Sequence, residues 1–158
     1  MSLEARQALV AKLIFQDEHN GTAEPTQRAD LLDPALTDTG LIALLLDVVN
    51  AGFIFEVTAV RRDHHDDGPN GHAGGRGADG WPLNSRTEGD WVDAASPHFA
   101  DFLEVLARSP WRFQVGLAGS ANTEANMTAA LAGPNSVPGQ TAFVDSGGDH
   151  VHCGSIVG

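Results

Sequence analysis

The chain has 158 residues, of which 42% are hydrophobic and 19% charged, a composition typical of one globular domain with a buried core. Its formal net charge is -12, from 21 acidic and 9 basic residues. This balance argues against a nucleic-acid partner, which needs a surface rich in Lys and Arg, and against electrostatic docking on an anionic membrane. We therefore predict a single domain, residues 1–158, that binds no nucleic acid.

The single cysteine, Cys153, excludes an intramolecular disulfide and is typical of a protein made in a reducing compartment. The first residues carry acidic charge and no apolar run, so we predict no secretory signal and expect synthesis in the cytoplasm. No apolar stretch approaches the roughly 20 residues of a membrane-spanning helix. We therefore also predict that the protein has no membrane span.

The first sixty residues predict two helices and a strand. The apolar spacing predicts a helix from Leu3 to about Asp17, followed by a long loop that contains two prolines. Asp38 or Thr39 can cap a second helix, from about Gly40 to Asn50, which is apolar nearly all round and therefore belongs in the core. The aromatic and β-branched run from Phe53 to Val60 predicts a buried strand.

The composition then changes. From Arg61 to Asn84 the chain is rich in Gly, His and Asp and poor in core-forming residues. Ser96 as N-cap, with Pro97 at the first helical position, predicts a third helix that runs to about Arg108. The alternation from Trp111 to Leu117 predicts a half-buried strand.

The C-terminal third predicts a short helix from Asn122 to Leu131 and two strands, Thr141 to Asp145 and Val151 to Ile156. The strands are joined by the turn-prone segment Ser146 to Asp149. Together the predicted elements indicate an α+β fold, with a small, mainly antiparallel sheet flanked by helices.

Two distant segments carry side chains that can ligate a metal. His72 and Asp79 lie seven residues apart in a Gly-rich stretch whose glycines let the backbone turn tightly. On a strand, His150 and His152 point to one face, so that one can bind a metal while the other faces the substrate. Each segment alone is more often an ordinary loop or a pair of surface histidines. Together they indicate a catalytic zinc site, in which three protein ligands leave one position for water.

The pattern His72-x-x-Gly75-x-Gly77-x-Asp79 resembles the HxxGxAxD signature of the zinc D-Ala-D-Ala metallopeptidases. That group includes D,D-carboxypeptidases, vancomycin-resistance dipeptidases, murein endopeptidases and phage L-alanyl-D-glutamate endopeptidases. Its fold is shared with the hedgehog signalling domain. His150-x-His152 is similar to the group's HxH motif, and the resemblance covers roughly Leu41 to Ser155, with residues 1–40 outside it.

The resemblance implies a fold of the D-Ala-D-Ala carboxypeptidase or hedgehog type, with Zn2+ as the cofactor. It implies that the metal ligands are His72, Asp79 and His152, and it selects His152 over its neighbour two residues earlier. It implies a catalytic role for His150, which would take a proton from the attacking water or stabilise the oxyanion.

The strand before the site matches the family less closely. In relatives an S-x-Y-R type motif ends in an arginine that binds substrate, but here Ala59 and Val60 occupy the Ser and Tyr positions. Either Arg61 or Arg62 is therefore the equivalent arginine, and either would bind a carboxylate of a peptidoglycan stem peptide.

Other residues near the motifs have open roles. The cluster from His64 to Asp67 can be the polar rim of a loop, a substrate contact or a second metal site. Trp81 and Trp91 are candidates for the wall of the substrate cleft, with core packing as the equal alternative.

These features predict zinc-dependent hydrolysis of a peptide bond in peptidoglycan stem peptides, by a carboxypeptidase or endopeptidase. A wall hydrolase without a secretory signal suits a phage lysin or a virion-associated enzyme, which acts at the cell wall, in the periplasm or on the virion beside other phage tail proteins. The alternative is a catalytically inactive, zinc-stabilised structural or binding domain of a phage tail or similar assembly. A small domain whose histidines are incidental is a third reading.

Overall fold

The structure is a computed structural model and describes residues 1–61, 74–84, 90–91, 98–109, 113–118, 141–145 and 151–155. Within these ranges the helices are α1 (Leu3–Val10), α2 (Gln16–His19), α3 (Gln27–Leu32), α4 (Thr39–Asn50) and α5 (Phe99–Arg108). The strands are β1 (Ile14–Phe15), β2 (Phe53–Ala59), β3 (Gly77–Asn84), β4 (Asp90–Trp91), β5 (Phe113–Ala118), β6 (Thr141–Asp145) and β7 (Val151–Ser155). The predicted α+β class is confirmed.

The described strands form one sheet in the order β1-β2-β3-β7-β5-β6, and β4 pairs with the far end of β3. The two outer pairs, β1–β2 and β5–β6, are parallel. The pairs in the middle of the sheet, β2–β3, β3–β7 and β5–β7, are antiparallel. The sheet is therefore mixed, and the prediction of mainly antiparallel pairing describes its centre but not its edges.

The core lies where α4 packs on one face of this sheet. Asp38 caps the helix, because its Oδ1 accepts a hydrogen bond from the backbone N–H of Gly40 at 2.7 Å. The apolar residues of α4 are buried against alternate residues of β2, and the Phe53 ring meets Phe102 of α5 edge-on at 5.5 Å between ring centroids. The predicted core helix and buried strand are both confirmed.

The N-terminal segment differs from the single helix and long loop that its spacing predicts. α1 ends at Val10, and the chain then forms β1, α2 and α3. The predicted helix to Asp17 is wrong because Ile14 and Phe15 pair with the edge of β2, and Phe15 is only 2% exposed. Tertiary pairing here overrides a weak helical pattern.

β3 lies in the segment whose composition is poor in core-forming residues, and the sequence did not predict it. A Cβ on Gly80 would lie 2.3 Å from the Glu56 carbonyl oxygen and 2.3 Å from the Phe55 ring, so only glycine fits there. Pro82 is tolerated because, among the described pairings, β7 ends its contact with β3 at Gly80 and β4 begins at Leu83. Pro82 is paired with Phe55 of β2, and on the other edge of β3 it lies in the gap between two partners, where a missing N–H breaks no described pairing.

The C-terminal predictions hold in part. Strands at Thr141–Asp145 and Val151–Ser155 are confirmed, but β5 lies between them in the sheet. α5 begins at Phe99 with His98 at the N-cap position, so the predicted start at Pro97 is wrong. The residues that gave that signal, like the predicted helix over 122–131, lie outside the described ranges.

The turn before α4 joins the N-terminal segment to the chain that enters β3. Arg6 is 2% exposed, and burial lowers its pKa. Its Nη1 donates to Thr37 Oγ1 at 2.7 Å and its Nη2 donates to the Thr37 carbonyl at 2.8 Å. The adjacent Asp38 N–H donates to the Gly75 carbonyl at 2.7 Å. Arg6 and Gly75 therefore hold this turn from opposite sides.

Gly75→Ala is expected to lower the free energy of unfolding by about 3 kcal/mol or more, measured by urea denaturation. A Cβ at Gly75 would lie 2.0 Å from the Leu36 carbonyl oxygen, and the φ of +69° already disfavours a side chain.

Gly21 supplies the matched control, because it has the same φ of +69° with nothing within 4 Å of a Cβ built there. Gly21→Ala should cost only the backbone preference, about 1 kcal/mol. Equal losses in the two variants would contradict the close approach at Gly75.

Candidate metal centre

Two of the three predicted metal ligands lie in described residues, and the structure brings them into contact. Asp79 of β3 and His152 of β7 are directly opposite one another in the antiparallel register. His152 Nδ1 lies 2.8 Å from Asp79 Oδ1, although the residues are 73 positions apart. The third predicted ligand, His72, and the predicted catalytic His150 lie outside the described residues.

Strand alternation explains why these two side chains meet. The next pair in the register, Ala78 and Cys153, is fully buried in the core that α4 covers. Because successive side chains of a strand point to opposite faces, Asp79 and His152 lie on the other face of the sheet. The site is therefore built on the two central strands β3 and β7, on the face opposite the helix-packed core.

The pair is almost completely removed from water. The side chains of His152 and Asp79 are 8% and 5% exposed. A buried carboxylate needs a hydrogen-bond donor, and an imidazole that carries its proton on Nδ1 supplies one. To ligate an ion together with Asp79, the ring must instead leave Nδ1 unprotonated and carry its proton on Nε2.

Cys153 is adjacent to this pair but takes no part in its chemistry. Burial, with a further contribution from the negative charge of Asp79, raises the pKa of the Cys153 thiol far above its ordinary value. Metal ligation and nucleophilic attack both need the thiolate. Cys153 therefore acts as a small core residue.

The two donor atoms fit a zinc ion in type and nearly in spacing. Zinc prefers imidazole nitrogen and carboxylate oxygen, and two such atoms on one tetrahedral ion lie about 3.4 Å apart. The observed contact is 2.8 Å. The side chains would thus separate by roughly half an ångström to share an ion. Within the described ranges no group of three His, Cys, Asp or Glu residues is placed to hold a metal.

Glycines occupy the neighbouring positions on the same face. Gly77 is paired with Gly154, each two residues from a member of the pair, and Gly116 of β5 is opposite His152. Glycine lets another group approach the backbone closely. Because glycine has no side chain, these three positions leave space for a bound group beside the Asp79–His152 pair.

Of the two arginines predicted to bind substrate, Arg61 is described and Arg62 is not. The Arg61 Nη1 lies 3.3 Å from the carbonyl oxygens of Ala35 and Leu36, so this side chain holds the turn before α4. Sequence reasoning did not single out Arg76, whose Nε lies 3.8 Å from Asp38 Oδ2. The sequence feature that could have identified Arg76 is its position within the Gly-rich motif, three residues before Asp79.

Sequence reasoning also missed Glu56. It is half-buried in the middle of β2, directly opposite Trp81 of β3. Trp81 follows Asp79 by two residues and so shares its face of the sheet. The signal was available, because Glu56 lies between the apolar residues Phe55 and Val57 and must face away from the core on which they pack.

Comparisons with known proteins identify no relative: no family model, no curated protein and no solved structure matches the chain. In the parts of the chain that the structure describes, no helix is long and apolar enough to cross a membrane.

In chelator-treated protein, Asp79→Ala is expected to lower the free energy of unfolding by about 1–3 kcal/mol, because it removes the carboxylate that pairs with the buried His152 ring. A double-mutant cycle with His152→Ala should give a coupling energy of at least about 0.5 kcal/mol, measured by urea denaturation.

The control for this cycle is Asp101→Ala, which removes an exposed carboxylate on α5 and should change stability by less than about 0.5 kcal/mol. Strictly additive effects of Asp79→Ala and His152→Ala would show that the two side chains are not in contact.

Proposed function

We propose that this chain is a zinc-dependent peptidase that hydrolyses a peptide bond in peptidoglycan stem peptides. The observation that carries the proposal is the 2.8 Å contact between Asp79 and His152. The two residues come from separate motifs with the spacing of the zinc D-Ala-D-Ala metallopeptidases. Random placement of a His and an Asp 73 residues apart would rarely leave them opposite each other on adjacent strands.

In this proposal the ion is held by His72, Asp79 and His152. Zinc, when bound, supplies a Lewis acid that polarises the scissile carbonyl and makes water acidic near neutral pH. The sheet supplies rigidity, because β7 is hydrogen-bonded to β3 on one side and to β5 on the other. Ligands on paired central strands are held more precisely than ligands on loops.

His150 and an arginine complete the proposed site. His150 precedes β7, and it would accept the proton of the attacking water or donate a hydrogen bond to the developing oxyanion. Arg62 is the better candidate for the substrate carboxylate, because Arg61 already donates to two backbone carbonyls of the turn before α4. A guanidinium binds a carboxylate with two parallel hydrogen bonds.

The alternative is a catalytically inactive, zinc-stabilised structural or binding domain, as in a phage tail. The burial of the pair favours it, because structural zinc sites are closed whereas catalytic sites keep an open position. Both readings use the same ligands. They differ in whether His150 and an arginine act on a substrate.

The purified protein is expected to retain about one zinc ion per chain and to release peptide products from muropeptides, measured by metal analysis and mass spectrometry. His72→Ala, Asp79→Ala and His152→Ala should each weaken zinc binding by more than the roughly 10–100-fold that the loss of an outer partner costs.

Asp101→Ala is again the control and should keep both zinc and cleavage. Bound zinc without any cleavage product would support the structural alternative. Stoichiometric zinc in His72→Ala would refute the assignment of that ligand.

Arg62→Ala is expected to raise KM by roughly 10–100-fold while bound zinc is unchanged, since a hydrogen bond to a charged group is worth about 1.5–3 kcal/mol. Arg61→Ala should instead lower stability, because it releases the turn before α4. If Arg61→Ala raised KM and Arg62→Ala did not, Arg61 would be the arginine that binds the substrate carboxylate.

A further inference from the structure

A carboxylate and an indole ring lie side by side on the sheet face that carries the Asp79–His152 pair. Glu56 and Trp81 are register partners in the antiparallel pair β2–β3. Directly opposite residues on such strands have Cβ atoms about 4.5–5.5 Å apart and share a face. Neither residue belongs to the metal-ligand motifs or to the core.

Glu56 is half-buried. Among the residues that the structure describes, no side chain or backbone group donates a hydrogen bond to its carboxylate or forms an ion pair with it. Partial removal of an ionised carboxylate from water costs free energy unless a donor replaces the lost hydration. A cationic ligand with N–H donors would offset that cost.

The charge of the whole chain acts in the same direction. With 21 acidic and 9 basic residues, the protein carries a net negative charge, which favours the approach of cations over anions. Two of the nine basic residues, Arg6 and Arg61, donate hydrogen bonds to backbone carbonyls of residues 31–37 instead of pairing with Glu56.

The chemistry of the pair matches a primary ammonium group. Such a group can donate a charge-assisted hydrogen bond to a carboxylate and can lie over the face of an indole ring in a cation–π contact. A neutral amide gains neither interaction. The pair therefore distinguishes an amine from its acylated form.

The distance from Glu56 to the Asp79–His152 pair indicates how far the ammonium group lies from the scissile bond of a substrate. Glu56 is opposite Trp81, and Asp79 lies two residues from Trp81 on β3, beyond the register shift between Val57 and Ala59. Such diagonal neighbours are about 7–8 Å apart. An extended peptide advances about 3.3 Å per residue, so this separation corresponds to about two residues.

We propose that Glu56 and Trp81 form a subsite for a primary ammonium group carried by a peptide substrate, about two residues from the bond held at the Asp79–His152 pair. The inference rests on the proposed function for the identity of the peptide. Stem peptides carry such a group on their diamino acid.

The test compares two probes on the purified full chain, Nα-acetyl-L-lysyl-D-alanyl-D-alanine and its Nε-acetyl derivative, which differ only in the ammonium group. Binding is measured by isothermal titration calorimetry, and each mixture is analysed for products by mass spectrometry. The free ammonium should improve affinity by roughly tenfold or more, the effect of one hydrogen bond between charged groups.

Variants then test which residues cause the preference for the free ammonium group. Glu56→Gln keeps the shape of the side chain and should abolish the preference, because it removes the charge that the free ammonium binds. Trp81→Leu should reduce it. Asp101→Asn removes an exposed carboxylate on α5, on the helix-packed side of the sheet, and should retain it.

Equal affinity of wild-type protein for the two probes, or a preference that survives Glu56→Gln, overturns the subsite. The comparison on wild-type protein needs no substitution, so the inference is testable even if a variant does not fold. Failure of the proposed function gives a different result: a Glu56-dependent preference in a protein that holds no zinc and releases no product. If the protein holds zinc and cleaves but binds the two probes equally, the subsite is refuted and the proposed function stands.

Discussion

Antiparallel pairing of β3 with β7, in the register that sets Asp79 opposite His152, is the constraint on which the candidate site depends. Because side chains alternate along a strand, a shift of one residue would turn one member of the pair into the core. β7 has hydrogen-bonded neighbours on both sides, β3 and β5, so its register is specified twice. The position of the two residues opposite each other is thus a property of the backbone.

The position of β3 depends in turn on close backbone approaches that only glycine permits. Gly75 lies against the Leu36 carbonyl, and Gly80 lies against the Phe55 ring. The turn that receives Gly75 is held from its other side by the buried Arg6. The N-terminal forty residues, which lie outside the family resemblance, therefore help to position the strand that carries Asp79.

The face that results combines two kinds of chemistry. The Asp79–His152 pair can share a proton or an ion, since the same two atoms serve as a hydrogen bond at 2.8 Å and as ligands after a small separation. Beside it, Glu56 opposite Trp81 adds negative charge and an aromatic surface. In a chain of net charge -12 these groups are suited to a cationic ligand, and under the proposed function the carboxylate of the substrate would need a dedicated arginine.

The sequence by itself determined the α+β class, the capped core helix α4, the buried strand β2 and the two C-terminal strands, because each depends on a local pattern of apolar residues. The Gly-rich motif also named Asp79, and the family resemblance selected His152 over His150. Only the tertiary structure decided that β1 and β3 are strands, since Ile14–Phe15 and a segment with Gly80 and Pro82 have no strand pattern of their own and depend on β2 for pairing. It likewise decided that the two named residues meet, because periodicity within a segment carries no information about which distant strand lies beside it.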